Sequence, residues 1–311
     1  MKFCLRVAIG WYIPSFAVRG KVEDPTHGPV LLVANHPDSF LDAILIALSC
    51  SQPMHFLARG DVFNKPWHRW LLRQLNMYPV YRIREGRQHV HLNRTSFQYA
   101  NEVLSARGTL LIFIEGICLN THELQPFKKG AGRIALEAAH FPGFRIIPVG
   151  VAYSDFRRIG KAATVCFGTP LRADQLFSSA NEQSNIHQMN AIIFPILQKL
   201  IQPPVARPND KPTGLLSLIL PLSRILNFPL FYPISRWVAS LTSGTVFYDS
   251  VLFAVLLLTY PLYLICIFWI LSILGCTVIV SLLLTLSLPA TAYYALSRRL
   301  ELYYKDQAVS S

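Results

Sequence analysis

The chain has 311 residues and a mass of 35.1 kDa; 52% of its residues are hydrophobic and 15% are charged. Soluble domains carry about 25% charged residues, so this composition excludes both an ordinary soluble enzyme and a disordered chain. Lys and Arg (29) outnumber Asp and Glu (17), which gives a net charge of +12 and indicates an anionic partner. In so apolar a chain, this charge favours an anionic phospholipid bilayer over nucleic acid.

The N-terminal residues 1–20 are predicted to form an amphipathic helix at a membrane interface. Lys2 and Arg6 precede a short apolar stretch, as they would in a secretion signal. However, the stretch contains Pro14 and ends in Arg19, and it shows no small-x-small cleavage pattern. We therefore prefer an interfacial helix to a cleaved signal.

Residues 21–202 alternate between strand and helix patterns. Short apolar runs predict strands over residues 30–34, 55–58, 78–82, 109–114, 145–151 and 163–167. Helical spacing predicts helices over residues 39–49, 66–75, 88–106, 129–139 and 185–201. The alternation predicts an α/β domain with a mixed, largely parallel sheet flanked by helices, in which functional side chains gather at the carboxyl ends of strands. Pro148 predicts an edge, a bulge or a strand start.

The C-terminal part is predicted to be bound to a membrane. Residues 203–249 combine a proline-rich linker with an apolar, aromatic and cationic stretch that suits an interfacial or re-entrant segment; a third full span is the alternative. Residues 250–297 form a run of 48 without Asp, Glu, Lys, Arg or His, whereas one membrane helix needs about 20 apolar residues. The run predicts a transmembrane hairpin with helices over 252–273 and 278–296; a buried core hairpin is the alternative.

The basic residues after this hairpin predict its orientation. Arg298, Arg299 and Lys305 lie in the tail of residues 298–311, and the positive-inside rule places that tail in the cytoplasm. Two spans return the chain to its starting side, so the α/β domain is predicted to be cytoplasmic on a multi-pass protein of the inner or plasma membrane. The six cysteines lack the short spacings of metal or redox motifs, so we expect a reducing compartment and no metal.

His36 follows the first predicted strand of the α/β domain, within residues 35–42. A histidine with a nearby carboxylate, here Asp38 or Asp42, is the minimal general base, because the carboxylate fixes the tautomer and stabilises the imidazolium. The chain has no Gly-x-Ser-x-Gly elbow, so the pair is predicted to activate a hydroxyl of the substrate. The alternative is a plain helix start, which Asp38 or Ser39 caps while His36 packs.

Two further clusters follow predicted strands. Arg82 ends the strand over 78–82, and an arginine fork binds phosphate bidentately; a solvated basic face is the alternative. Glu115 follows the most apolar strand, and Gly116 permits a tight turn beside it. Lys128 and Lys129 enter the next helix, where they would add to an anion site, unless the segment is an ordinary strand-loop-helix junction.

Cys118 offers a different nucleophile in the same segment. A thiolate at this position would itself be a nucleophile. Its neighbours Ile117 and Leu119 are apolar, and such surroundings raise the pKa of a thiol and reduce its reactivity. The sequence therefore favours the histidine over the cysteine as the reactive group.

In order and spacing, these clusters resemble the phospholipid/glycerol acyltransferase family, which includes the lysophosphatidic acid acyltransferases. That family shows Asn-His-x4-Asp, a strand ending in arginine, Phe-Pro-Glu-Gly-Thr-Arg and an apolar strand with proline. Residues 35–42, 80–82, 113–118 and 147–149 are similar and lie in the same order. Five residues separate His36 from Asp42, a spacing that some glycerol-phosphate acyltransferase-like members share. The third motif here lacks the proline, the threonine and the arginine, and that arginine is usually linked to the acceptor phosphate.

The resemblance implies a glycerolipid acyltransferase fold and an O-acyltransferase activity. It implies catalysis by His36 and Asp42, and substrate binding by Asn35, Arg82, Glu115, Gly116, Lys128 and Lys129. Backbone N–H groups near Gly116 are expected to steady the oxyanion. The donor is expected to be acyl-CoA or acyl carrier protein, with no further cofactor.

The expected acceptor is a lysophospholipid, with 1-acylglycerol-3-phosphate preferred and phosphatidic acid as the product. Because the third motif lacks its arginine, glycerol phosphate and a lyso-aminolipid without phosphate are alternatives. A catalytically inactive membrane-binding relative is another. A transporter is disfavoured, since the two predicted spans contain no ionisable residue to line a polar path.

Overall fold

The computed structural model describes residues 2–22, 28–81, 93–202, 204 and 216–309. Its centre is an eight-stranded sheet formed by β1 (Ser15–Arg19), β2 (Val30–Ala34), β3 (Met54–Arg59), β4 (Met77–Val80), β5 (Thr109–Phe113), β6 (Arg145–Tyr153), β7 (Ala162–Phe167) and β8 (Leu171–Arg172). The strand order is β1-β7-β6-β2-β5-β3-β4, with β8 paired to β6. Only the pairings of β6 with β7 and with β8 are antiparallel among the strands described. The predicted mixed, largely parallel sheet is therefore confirmed.

Helices cover both faces of the sheet and continue beyond it. They are α1 (Lys2–Tyr12), α2 (Phe40–Ser49), α3 (Pro66–Gln74), α4 (Asn93–Ser105), α5 (Lys129–Ala138), α6 (Ala173–Leu176), α7 (Glu182–Leu200), α8 (Leu216–Leu241), α9 (Tyr248–Ile273) and α10 (Val278–Val309). Over the described residues, the predicted helices and strands of the α/β domain agree with these elements to within a few residues. The predicted end of the strand over 78–82 and the predicted start of the helix over 88–106 lie outside the described residues. The strand β1, the short strand β8 and the short helix α6 were not predicted.

Two apolar layers fix the sheet between its helices. Along β2, Val30, Leu32 and Ala34 point into one core with α1, α2 and the start of α9. Leu31 and Val33 point to the opposite face, into a core with α4, α5 and α7. Because both faces are buried, β2 is a continuous apolar run rather than an alternating one, and its carboxyl end is held rigidly at the centre of the sheet.

The N-terminal segment differs from the interfacial helix predicted over residues 1–20. Helix α1 ends at Tyr12, and β1 then joins the sheet parallel to β7. Ile9, Tyr12 and Ile13 are buried in the core, so α1 packs on the domain. Lys2 also bonds the carbonyl of Cys50 beyond the end of α2. The prediction was wrong for residues 15–19 because a five-residue strand leaves little periodic signal beside a helix.

Pro148 lies in β6, an interior strand, rather than at an edge, a bulge or a strand start. β6 pairs with β8 through residues 145–146 and with β7 through residues 149–153. Pro148 falls between these two stretches, where neither antiparallel partner needs an N–H donor. Its carbonyl accepts from the N–H of Gly168 at 2.8 Å. An interior strand can therefore hold this proline because its partner changes there.

The predicted C-terminal hairpin is present as α9 and α10, joined by a turn at residues 274–277. Within the described residues, α9 is the one helix long and apolar enough to cross a bilayer, and only 11% of its most apolar stretch is buried. In the structure, α9 is therefore not a buried core helix. The apolar part of α10, Val278–Tyr293, is shorter, and the helix continues to Val309 where a separate tail was predicted.

Helix α8 occupies much of the segment predicted as a linker with an interfacial or re-entrant stretch. It runs unbroken for 26 residues. It packs against α9, where Tyr260 donates to Asn227 Oδ1 at 3.0 Å and Tyr263 donates to the carbonyl of Leu226 at 2.5 Å. Most of the predicted proline-rich linker lies outside the described residues.

Candidate functional site

His36 and Asp42 meet at the carboxyl end of β2. The chain leaves β2 at Ala34 and enters α2 at Phe40, so His36 lies in the intervening loop and Asp42 in the first turn of the helix. The Nδ1 atom of His36 lies 2.8 Å from Oδ2 of Asp42. The Asp42 side chain is fully buried and that of His36 is 19% exposed. The loop thus brings the predicted pair into hydrogen-bond contact.

The contact sets the direction in which the imidazole can act. Nδ1 donates its proton to the carboxylate, which leaves Nε2 with its lone pair available. The ring stacks on Phe113 at the end of β5, with ring centroids 3.7 Å apart. Phe113 therefore fixes the plane of the imidazole, while Asp42 fixes its rotation. This arrangement can accept a proton at Nε2.

Asp42 is oriented by two further donors. The backbone N–H of Asp38 donates to Oδ2 at 2.8 Å, and the phenol of Tyr153 donates to Oδ1 at 2.7 Å. Burial, followed by the charge of Asp42, raises the pKa of Tyr153 well above its ordinary value, so this phenol keeps its proton. The carboxylate consequently has one well-determined position.

Asp38, the reserve partner for His36, points elsewhere. Its carboxylate pairs with the buried ammonium of Lys161, while its backbone supports Asp42. Asn35, predicted to bind substrate, is also buried. Its amide nitrogen donates to the carbonyl of Val151 at 2.9 Å, and its oxygen accepts from the Val151 N–H at 2.8 Å. This geometry favours a role for Asn35 in holding the loop to β6 over a direct substrate contact.

Glu115 lies beside the His36 loop, two residues beyond the end of β5. Its carboxylate accepts from the backbone N–H groups of Gln125 and His36, which favour the ionised form. Burial, with a smaller contribution from Asp42, outweighs them and raises the pKa of Glu115 to about 7. The third motif and the first are therefore neighbours in space, as their positions after strands predicted.

Gly116 allows the chain to turn between Glu115 and the loop that follows. Its φ is +62°, and a Cβ there would lie 3.0 Å from Cγ of Lys128. Both the backbone conformation and the close approach of Lys128 therefore favour glycine. The N–H of Gly116 donates to the carbonyl of Phe113 at 3.1 Å, so it is already engaged and gives no support to its expected oxyanion role.

The cations predicted to bind phosphate are placed differently. Lys128 and Lys129 lie exposed at the N-terminus of α5, with Lys128 beside Gly116. Arg82 lies outside the described residues. Cys118 occupies the position of the arginine in the family's third motif, and its Sγ accepts the N–H of Ser39 at 3.1 Å. Burial, with Asp42 nearby, raises the pKa of Cys118, so this side chain supplies neither a positive charge nor a ready nucleophile.

No group of three or more His, Cys, Asp or Glu side chains stands close enough to hold a metal ion in the part of the chain that the structure describes. The chemistry that this site can perform with its own side chains is proton transfer at His36.

Comparison with known proteins finds a similarity over this part of the chain. Residues 15–152 match the family model described as Acyltransferase. The similarity to that family thus covers less than half of the chain. The Brassica napus protein 1-acyl-sn-glycerol-3-phosphate acyltransferase BAT2, chloroplastic, is 30% identical over 121 residues, which are 39% of this chain and 32% of that protein. The match therefore spans about a third of the length of this curated relative.

A solved structure is also similar to this chain. It is the 1-acyl-sn-glycerophosphate (LPA) acyltransferase PlsC from Thermotoga maritima. The two sequences are 20% identical, and the alignment covers 64% of this chain and 76% of that chain with a TM-score of 0.47.

Several residues of the candidate site were not predicted from the sequence, and they lie beyond residue 152, outside the family match. They are Tyr153, which orients Asp42, and Lys161, Asp249 and Ser250, which surround Asp38. Two of them carry a signal that was not used. Lys161 directly precedes an entirely buried strand, and Asp249 directly precedes the charge-free run. An ionisable residue beside so apolar a segment usually needs a partner.

Proposed function

We propose that this protein is a membrane-bound O-acyltransferase that moves a fatty acyl group from an acyl thioester to the hydroxyl of a lysophospholipid. The preferred acceptor is 1-acylglycerol-3-phosphate, and the product is then phosphatidic acid. The observation that carries the proposal is the contact of His36 Nδ1 with Asp42, which leaves Nε2 free on a partly exposed ring at the carboxyl end of a central strand. The match of residues 15–152 to the family model described as Acyltransferase supports the reaction class.

The reaction begins when Nε2 of His36 takes the proton of the acceptor hydroxyl. The oxygen attacks the thioester carbonyl as this proton leaves, and Asp42 stabilises the imidazolium that forms. The tetrahedral intermediate then expels the thiolate, which takes the proton from His36 Nε2, so that the enzyme returns to its starting state. A positioned base contributes a rate factor of about 10²–10⁴. The thioester is already activated, so no acyl-enzyme intermediate is required.

The donor is proposed to be acyl-CoA or acyl carrier protein, and no other cofactor is needed for these steps. Both donors are anionic, so the excess of Lys and Arg over Asp and Glu would attract either of them. The side chains at the site do not distinguish between the two, because both present the same thioester to His36.

Recognition of the acceptor phosphate is proposed to rest on Lys128 and Lys129, together with Arg82. Lys128 is favoured because its side chain lies against Gly116, next to Glu115. The neutral Cys118 in place of the family's arginine weakens the case for a phosphate. A glycerol phosphate or a phosphate-free lyso-aminolipid therefore remains the second candidate for the acceptor.

Membrane attachment is proposed to run through α9 and α10. The exposed apolar surface of α9 supports a span, and α10 would return the chain to the side of the domain. Arg298, Arg299 and Lys305 follow the charge-free run and favour a cytoplasmic position for that end and for the domain. The protein would then be multi-pass, in an inner or plasma membrane, with its site beside its lipid substrate.

The decisive experiment measures acyl transfer in purified membranes with radiolabelled oleoyl-CoA or the corresponding acyl carrier protein and a panel of lysolipids. We expect His36→Ala to lower the rate by about 10²–10⁴, while the amount of protein in membranes is unchanged. His187→Ala, which removes an exposed histidine from α7, is the matched control and should keep full activity.

Other outcomes of this assay decide between the alternatives. If neither the wild-type protein nor the variant consumes thioester with any acceptor of the panel, the protein is an inactive membrane-binding relative. The incomplete third motif is the reason for considering this alternative. Acylation of a phosphate-free acceptor alone would refute the assignment of Lys128, Lys129 and Arg82 to phosphate.

A further inference from the structure

A buried ionic cluster lies behind the catalytic loop. The ammonium of Lys161 pairs with the carboxylates of Asp38 and Asp249, each with an N–O separation of 2.5 Å, and all three side chains are fully buried. Asp38 belongs to the loop that carries His36, Lys161 precedes β7, and Asp249 lies in the first turn of α9. One cation therefore joins three segments that are distant in sequence.

The cluster extends toward both the catalytic pair and the N-terminal helix. The Lys161 ammonium lies 4.5 Å from the ring centroid of Tyr153, whose phenol holds Asp42. Oδ1 of Asp249 accepts from the phenol of Tyr12, at the end of α1, at 2.8 Å. The groups that face Lys161 are thus two carboxylates and one aromatic ring. None of them is used in the proton transfer itself.

Helix α9 touches the catalytic loop at a second point. The hydroxyl of Ser250 accepts the N–H of Phe40 at 3.0 Å and donates to the carbonyl of Asp38 at 3.4 Å. Between these residues, Ser39 has a φ of 55°. A serine holds this left-handed conformation only where its surroundings fix it. Ser250 supplies such a constraint on both sides of Ser39.

These contacts act on Asp42 through the backbone. The N–H of Asp38 donates to the same Asp42 oxygen that faces His36, so a shift of Asp38 moves a bond of the catalytic carboxylate. A buried carboxylate is costly without a partner, and Asp38 and Asp249 share one ammonium. The position of the loop and the position of the α9 start therefore depend on each other.

We propose that Lys161, Asp249 and Ser250 are positioning residues for acyl transfer, and that the first turn of α9 is part of the support of the catalytic loop rather than a membrane anchor alone. The inference rests on the proposed function. It follows that the packing of the first turn of α9 in the domain affects the catalytic rate and has little effect on substrate binding.

The test compares Asp249→Asn and Ser250→Ala with wild-type protein, full length and in membranes. We expect kcat to fall by about 10–100-fold, because displacement of a catalytic group by about 1 Å has an effect of this size, while KM for donor and acceptor changes by less than about threefold. Ser250→Thr, which keeps the hydroxyl, should restore kcat to within about threefold of wild type.

Thr259→Val is the matched control on the same helix, since the Thr259 hydroxyl donates only to its own helix, at the carbonyl of Val255; it should leave kcat unchanged. Values of kcat within about twofold of wild type for both Asp249→Asn and Ser250→Ala would overturn the proposal. So would a loss of activity that only follows a loss of folded protein, measured by the thermal unfolding transition. If Asp249→Asn fails to fold, the kcat values of Ser250→Ala and Ser250→Thr alone test the proposal.

A second readout separates this proposal from the proposed function. If wild-type protein acylates no acceptor, the reactivity of His36 toward diethyl pyrocarbonate, located by mass spectrometry, still reports how the ring is held. A change of about threefold or more in that rate for both variants supports the positioning role. An unchanged rate overturns it, whatever the natural substrate is.

Discussion

The side-chain position of Asp42 is fixed by three polar contacts to its carboxylate. It contacts His36 and accepts from the backbone of Asp38 and the phenol of Tyr153. A carboxylate with two additional donors cannot rotate away from the imidazole without losing hydrogen bonds to a charged group. The geometry of the proposed base is therefore set by the partners of its acid, while the His36 ring is fixed by its contact with Asp42 and by its stack on Phe113.

Tyr153→Phe tests this dependence on a single atom. The change removes a hydrogen bond to a buried carboxylate, a loss of about 1.5–3 kcal/mol, and we expect kcat to fall about tenfold. Tyr99→Phe is the matched control, since it removes a phenol that lies 2.6 Å from His55 Nδ1, away from the catalytic pair. Steady-state kinetics in membranes would measure both variants. Equal kcat values for the two would contradict the role given to Tyr153.

Glu115 gives the site a predicted dependence of stability on pH. Burial raises its pKa to about 7, above the value in the unfolded chain, so the protonated form adds stability that is present below the unfolded pKa. This stability is lost as the pH rises through the folded pKa. As the pH rises from about 4.5 to 7, the free energy of unfolding of wild-type protein should therefore fall by at most about 3 kcal/mol relative to that of Glu115→Gln.

Melting temperatures in detergent across this pH range would measure the Glu115 effect. Glu137→Gln, which removes an exposed carboxyl from α5, serves as the control and should follow wild type at every pH. A difference between wild type and Glu115→Gln that stays constant from pH 4.5 to 8 would show that Glu115 does not titrate as its burial requires.

At the scale of whole elements, the packing of α7 on β6 depends on a missing side chain. A Cβ on Gly150, in the middle of β6, would lie 2.6 Å from the backbone of Leu200 at the end of α7. The backbone must shift to admit it. Gly150→Ala should therefore lower the free energy of unfolding by about 1–3 kcal/mol.

Gly130→Ala is the control for this effect. It adds the same methyl group in the first turn of α5, where nothing lies within 4 Å of the new Cβ, so no loss of stability is expected. In a chain of this size, each 1 kcal/mol shifts the melting temperature by about 2–4 °C. Equal melting temperatures for Gly150→Ala and Gly130→Ala would contradict the prediction, because α7 would then shift without a loss in the free energy of unfolding.

The same element scale shows how far the sequence can carry the prediction of this fold. Buried strands such as β2 and β5 are continuous apolar runs, and their period and length are local properties. The placement of His36 and Glu115 after those strands followed, because parallel strands bring their carboxyl ends to one edge of the sheet. The antiparallel pairing of β7 with β6 and the strand β1 were not predictable in this way, because the sequence of a short strand does not determine which strand it pairs with.

The residues that support the site could not be predicted from the sequence for a related reason. Tyr153 lies 111 positions from Asp42, and Ser250 lies 212 positions from Asp38. No spacing rule connects residues so far apart, because sheet order and helix packing decide which of them meet. Lys161 was the nearest to being predictable, since a lysine beside a fully buried strand requires an anionic partner, although the sequence alone does not say which.

At the scale of the whole molecule, α9 begins inside the α/β domain and continues as an exposed apolar surface. Asp249, Ser250, Leu252 and Phe253 are buried in the domain, whereas Leu258, Leu262 and Trp269 are exposed further along the helix. A soluble protein rarely exposes so large an apolar surface. We therefore expect the domain to lie against the bilayer, with the loop that carries His36 next to the start of α9.

Three cysteine positions test this arrangement in sealed vesicles with the domain outside. Cys266 is exposed on α9, Cys276 lies in the turn between α9 and α10, and Gln183→Cys adds a thiol on the exposed surface of α7. With a charged maleimide, we expect rapid labelling at position 183. Labelling of Cys266 should be slower by on the order of tenfold or more until detergent is added, because hydrocarbon excludes a charged reagent.

Cys276 then decides between a span and a helix that lies on the surface. If α9 crosses the bilayer, its far end lies on the opposite side, and Cys276 should react only when the vesicles are inverted or opened. Because α9 has 26 residues and a rise of about 1.5 Å per residue, it is long enough to cross a hydrocarbon core of about 30 Å. Labelling of Cys276 from the same side as position 183 would instead place both helices along the interface, and the proposed multi-pass topology would be wrong.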